Sequence, residues 1–203
     1  MRAWLVIALA ACSSSGHSAI DAATPGADAP AGTPGVDAAP TADARPGVGE
    51  PAELAGITLA HNQVRAMINA GSALPALAWD ASLAATAAAY VATCPDSDGD
   101  GLVDHNDNRS VGHPFYVGEN IFASTNTASA AAAVTAWANE RAHYHYDANT
   151  CDAGQACGHY TQIVWRATEK LGCALHACPG LKYPSTIVCD YGPGGNIGNQ
   201  KPY

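Results

Sequence analysis

The densest group of chemistry-bearing side chains is Asp96-Ser97-Asp98-Gly99-Asp100-Gly101-Leu102-Val103-Asp104-His105-Asn106-Asp107. Carboxylates packed this closely repel one another unless a cation or full solvation screens them. Their spacing is that of a calcium loop. With Asp96 first, the carboxylates of Asp98, Asp100 and Asp104 fall at ligand positions, Gly101 takes the sharp turn, Leu102 offers its backbone carbonyl and Asp107 closes the loop. Asp107 stands where a bidentate Glu is common, which lowers the expected coordination. A solvated acidic loop is the competing reading. His143 and His145 form an alternating pair that could bind metal, although exposed turn residues need no such role. The chain has neither an HExxH helix nor a GxSxG elbow, so no strongly diagnostic hydrolase motif is present.

The frame around these residues is one domain. The chain has 203 residues, with 18 acidic against 9 basic and no basic stripe to neutralise phosphates, so no nucleic-acid partner is expected. Arg2 and the short apolar run Ala3–Ala11 have the layout of a signal peptide over 1–11, which implies export. Leu9-Ala10-Ala11-Cys12 resembles a bacterial lipobox, and acyl chains on Cys12 would anchor the protein to a membrane. An ordinary secretory signal also places the domain outside the cytoplasm. The expected location is therefore a membrane-anchored lipoprotein of the cell envelope or the extracellular space. Residues 12–52 are rich in Ala, Pro, Gly, Ser, Thr and Asp, too poor in apolar surface to offset chain entropy, and read as a disordered tether.

The folded part is expected over 53–203. Ile57, Ala60, Val64 and Met67-Ile68 recur at helical spacing before Gly71, and Asp80 sits as the N-cap of a second helix ending near Cys94. A third helix is expected from about Ser129 through Val134 and Trp137 to Arg141. Strands are expected at His159–Trp165, Leu171–Cys178 and Ser185–Tyr191, where β-branched and aromatic residues concentrate. Helices followed by strands favour an α+β domain. Trp79, Trp137 and Trp165 read as packing residues. Setting Cys12 aside, six cysteines remain, an even set that implies three disulfides outside the cytoplasm. Spacing alone favours only the short Cys151–Cys157 loop, and with no CxxC pair a zinc–thiolate site is disfavoured.

Gly158-His159-Tyr160-Thr161-Gln162-Ile163-Val164-Trp165-Arg166-Ala167-Thr168, with Leu171-Gly172-Cys173 after it, resembles the first signature of the CAP superfamily (cysteine-rich secretory protein, antigen 5, pathogenesis-related class 1; also the SCP domain). Cys189-Asp190-Tyr191-Gly192-Pro193-Gly194-Gly195-Asn196-Ile197 resembles the second, with Asp190 unusual at its place. His61-Asn62 with Arg65, Leu77-Ala78-Trp79-Asp80, Gly118-Glu119-Asn120-Ile121, Trp137-Ala138-Asn139-Glu140 and Asn199-Gln200-Lys201-Pro202-Tyr203 extend the resemblance over about residues 54 to 203. The acidic loop, which resembles those of EF-hands and dockerins, is then an insertion at 96–107.

The resemblance implies a three-layer α-β-α sandwich, with Cys94 bonded to Cys178, Cys151 to Cys157 and Cys173 to Cys189. It also implies a cleft lined by Glu119, Glu140, His159 and an upstream histidine, for which His105 fits the family's position better than His113. Such a set can hold Zn²⁺ or another divalent cation. Three functions compete. Relatives bind sterols and fatty acids, so the leading expectation is non-enzymatic binding of a lipid or sterol-like ligand. The alternatives are a metal-assisted hydrolase of peptides or cell-wall material, and a calcium-stabilised adhesion module.

Overall fold

The structure is a computed structural model that describes residues 49–203. The expected signal peptide, Cys12 and all but the last four residues of the expected tether lie outside the described residues. Among the described residues no helix is long and apolar enough to cross a membrane.

The two carboxylate oxygens of Glu50 accept from Gly56 N at 2.8 Å and Thr58 N at 2.9 Å and so cap the first helix, α1 (Ile57–Ala66). A two-residue strand, β1 (Ala78–Trp79), leads into α2 (Ala81–Val91), where Asp80 accepts from Ser82 N and Leu83 N as N-cap. The chain then passes through the acidic loop to β2 (Gly118–Ser124) and α3 (Ala130–Asn139), capped by Ser129. A 3-10 turn over Glu140–His143 opens a small ribbon of β3 (Tyr144–His145) and β4 (Thr150–Cys151). After α4 (Gly158–Ile163) come the long strands β5 (Lys170–Ala177) and β6 (Ser185–Gly192).

The main sheet has the order β1-β5-β6-β2, parallel between β1 and β5 and antiparallel elsewhere, so β2 is an edge. Alternation along β5 and β6 divides the core into two layers. Leu171, Cys173, Ile187, Cys189 and Tyr191 face α1, α3 and α4, whereas Ala174 and Val188 face Ala87 and Val91 of α2. This is the expected α-β-α sandwich. Gly172 lets α2 approach the sheet closely, since a Cβ there would collide with the backbone of Leu83 and Ala84. Disulfides join Cys94 to Cys178, Cys151 to Cys157 and Cys173 to Cys189. Trp137 and Trp165 are buried and Trp79 packs against the core.

One expectation is corrected. Residue types predict a strand over His159–Trp165, but Gly158–Ile163 forms α4. Its β-branched residues are there because all of Tyr160, Thr161, Gln162 and Ile163 are buried, and the helix start is held from outside its own sequence. Glu140 Oε2 accepts from His159 N and Tyr160 N, each at 3.0 Å, and so satisfies two N-terminal amides left without intrahelical partners.

Candidate functional site

Each of two imidazoles is bound to a glutamate through the same ring atom. His105 Nδ1 donates to Glu119 Oε1 at 2.6 Å, and His159 Nδ1 donates to Glu140 Oε1 at 2.5 Å. A carboxylate on Nδ1 fixes the tautomer, leaving the Nε2 lone pair as the free ligand atom of each ring. The Glu119 side chain is only 1% exposed while His105 is 53% exposed, so a buried anion orients a solvent-facing ring.

The fold delivers the pairs from opposite layers. Glu119 lies opposite Asp190 in the β2–β6 register and therefore shares the α2 face of the sheet. The Asn106 amide also donates to Glu119 Oε1 at 3.0 Å, and Tyr90 on α2 donates to the His105 carbonyl at 2.9 Å, which fixes the loop over that face. His159 and Glu140 belong to the other layer, where the His159 ring stacks on Trp137 with centroids 6.1 Å apart. The neighbouring residue on β2, Asn120, points to that second face: its amide donates to His159 O at 3.1 Å and to Tyr191 Oη at 3.0 Å. Because β2 is the sheet edge, residues 119 and 120 address both sides of it. Among the described residues no three of His105, Glu119, Glu140 and His159 bring ligand atoms within 4.8 Å of one another. They stand as two pairs.

Behind His159 lies a buried hydrogen-bond chain that sequence reasoning did not assign. His61 is fully buried, and burial pushes its imidazole down to about 4, so it is neutral at physiological pH. Its Nδ1–H donates to Ile57 O at 2.8 Å, leaving Nε2 to accept from Tyr191 Oη at 2.8 Å. The Tyr191 oxygen in turn accepts from Asn120. Each donor meets one acceptor, so the chain is directionally complete and fixes the His159 carbonyl. The His61-Asn62 pair is visible in sequence, but its partner stands 130 residues away.

Behind Glu119 the situation is the reverse. Asp190 is fully buried and both its oxygens lack hydrogen-bond partners, as does Glu119 Oε2. Burial first, and the Glu119 charge second, push the Asp190 carboxyl up to about 8, with Arg109 opposing.

In the acidic loop, Asp96, Asp98 and Asp100 bring carboxylate oxygens within 4.8 Å of one another. Gly101 N donates to Asp96 Oδ2 at 3.2 Å and Leu102 N to Asp100 Oδ1 at 2.9 Å, while Asp96 Oδ1 is buried without a partner. Gly101 has φ +84°, and a Cβ there would lie 2.7 Å from Lys182 Cβ. Asp104 is engaged differently, accepting from Ser97 N and Oγ at 2.6 Å each, and neither it nor Asp107 joins the three-carboxylate group. His113 is likewise apart from Glu119: its Nε2 meets Thr86 Oγ1 at 3.0 Å and its ring stacks on Phe115.

Fold and site together define a disulfide-braced α-β-α domain with histidine–glutamate pairs on the two sides of one sheet edge. Residues 58–191 match the family described as CAP, cysteine-rich secretory protein family. The chain belongs to this family. It is 43% identical over 145 residues to pathogenesis-related protein 1 of Arabidopsis thaliana, covering 71% of this chain and 78% of that protein. It is 38% identical over 150 residues to human peptidase inhibitor 16, covering 70% of this chain but 30% of that longer protein. Among solved structures it resembles Schistosoma mansoni venom allergen-like protein 4 (TM-score 0.58, 25% identity, covering 73% of this chain and 91% of that one). It also resembles NaASP2 crystallised with Zn²⁺ (TM-score 0.54, 26% identity, 72% and 82%). A secretory family is consistent with export.

Proposed function

We propose that this chain is an exported, lipid-anchored binding protein that takes an apolar or amphipathic ligand beside a divalent cation held by His105 and His159. The carrying observation is that both Nδ1 atoms are committed to Glu119 and Glu140, which leaves two oriented Nε2 donors suited to Zn²⁺. The glutamates then act as orienting groups. Crystals of NaASP2, a relative in fold, were obtained with Zn²⁺, which supports this choice of ion. Exposed Tyr116 and Ile197 favour the apolar ligand: Gly194 N donates to Tyr116 O at 2.6 Å, which brings the segments carrying these side chains together.

The same geometry argues against hydrolysis. A general base needs a carboxylate oxygen free to face water. Glu140 instead accepts three hydrogen bonds, from His159 Nδ1, His159 N and Tyr160 N, and the oxygen of Glu119 that His105 leaves free is buried. Native mass spectrometry with added Zn²⁺ tests the cation reading. His159→Ala is expected to weaken one zinc equivalent at least about tenfold, and Glu140→Gln about ten- to hundredfold. Unchanged zinc uptake in His159→Ala would remove the basis for a cleft metal. Turnover of peptide or cell-wall substrate that vanishes in Glu140→Gln would instead establish the hydrolase.

A second reading concerns the acidic loop, and the buried, unpartnered Asp96 Oδ1 beside two further carboxylates favours it. We infer a calcium site at Asp96, Asp98 and Asp100, with the Leu102 carbonyl, Asp104 and Asp107 as candidates to complete the shell. Ca²⁺ at about a hundred times its Kd would stabilise the fold by about 3 kcal/mol. A Tm several degrees higher with Ca²⁺ is expected for the wild type and not for Asp98→Asn/Asp100→Asn. Equal Tm shifts in the two proteins would leave the loop as solvated acid.

A further inference from the structure

Between the β3–β4 ribbon, α4 and the C-terminal segment lies a cavity of about 260 Å³, and none of His105, Glu119, Glu140 and His159 lines it. That volume is just below the usual range for small-molecule sites, about 300–1,000 Å³, and suits one compact ligand. The lining has no acidic or basic side chain. Tyr144, Trp165 and the Cys151–Cys157 bridge supply its apolar surface. Thr150, Asn199 and Gln200, all exposed, supply a hydroxyl and two amides that make no side-chain hydrogen bond among the described residues. The walls are held in place without them. Asn149 Nδ2 donates to Asn199 O at 3.0 Å and to Gln200 O at 3.2 Å, and its Oδ1 accepts from Tyr144 Oη at 2.6 Å, so one amide ties the ribbon to the C-terminal segment. Asn196 ties the same segment to α4, accepting from Thr161 Oγ1 at 2.7 Å and donating to Gly158 O at 2.9 Å. Both asparagines have left-handed backbones, with φ of +53° and +58°, a conformation that gathers at ligand clamps.

We propose that this cavity binds a neutral saccharide unit, at a site separate from the histidine–glutamate pairs. A charged ligand would give up hydration there and meet no counter-charge. A lipid tail would cover the amides and the hydroxyl and leave them unpaired. A sugar ring suits both parts of the lining. Its C–H face packs on the aromatic and disulfide wall, and its hydroxyls, which donate and accept, meet groups that do both. Because Asn149, Asn196 and the disulfide hold the walls beforehand, binding has little to order beyond the side chains of Thr150, Asn199 and Gln200.

The test is saturation-transfer NMR on the oxidised full chain with four neutral sugars, glucose, N-acetylglucosamine, cellobiose and chitobiose. At least one is expected to bind the wild type with a Kd of about 1 mM or tighter. Thr150→Ala/Gln200→Ala should weaken that sugar at least about tenfold, since it removes two hydrogen-bonding groups. Thr150→Trp should abolish binding by filling the cavity, whereas His159→Ala should leave it unchanged. The proposal is overturned if all four sugars give no transfer at about ten times that concentration, or if wild type and both Thr150 variants bind equally. Binding lost in His159→Ala but kept in the Thr150 variants would put the sugar in the cleft and overturn it as well. Near-ultraviolet circular dichroism confirms that each variant keeps the fold.

Discussion

Asp190→Asn is expected to stabilise the protein by on the order of 4 kcal/mol at pH 8 and by far less at pH 4. The folded carboxyl is pushed up to about 8, above the ordinary value near 3.8 that it regains on unfolding. Between these limits the unfolded chain has released a proton that the folded chain keeps, so stability falls as pH rises through the window. Above the folded value both states are ionised and the loss is complete. Asn keeps the shape and carries no charge, so no buried group has to ionise as the pH rises. Urea denaturation of both proteins at pH 4, 6 and 8 gives the result directly. A difference that does not change with pH would mean that Asp190 is ionised in the folded state and solvated by water.

Arg65→Met should act in the opposite direction, costing about 3 to 5 kcal/mol. Arg65 is 1% exposed and its guanidinium donates to four carbonyls, Pro75 O, Ile163 O and Trp165 O at 2.8 Å each and Thr168 O at 3.2 Å. Burial first and Arg166 second lower its pKa to about 10, so it stays charged at physiological pH. Met fills the volume and leaves these acceptors without their donor. Arg65→Lys should recover only part of the loss, since an ammonium cannot reproduce a planar fork. A fall of less than about 1 kcal/mol in urea titrations of Arg65→Met would show that water replaces the guanidinium. The carbonyls it gathers include that of Ile163, the last residue of α4, so the variant also reports how firmly the His159 helix is held.

These two residues illustrate how unequally the chain can be read. Local chemistry is legible: Asp80 and Ser129 cap the helices they precede, and β5 and β6 lie within a residue of the expected strands. Caps and alternation act over a few residues, so sequence displays them. The segment His159–Trp165 misleads because its β-branched residues mimic a strand, whereas its helical start depends on a carboxylate 19 residues upstream. Strand β2 shows in the sequence only as the motif Gly118-Glu119-Asn120-Ile121. Its place at the sheet edge comes from pairing with β6 nearly 70 residues later.

The sequence by itself determined an α+β domain and displayed the acidic loop through residue type and spacing, and its ordered motifs determined the family, whose resemblance implied the three-layer sandwich and named the candidate site residues. Only the tertiary structure decided what those residues do to one another. It separated the cleft residues into two pairs, turned Glu119 and Glu140 into orienting partners, and buried Asp190 without a donor. It also joined His143 and His145 to the two carboxylate oxygens of Asp152. The physical reason is range: hydrogen bonds and desolvation depend on distances of a few ångströms, which strands and helices close between residues far apart in the chain.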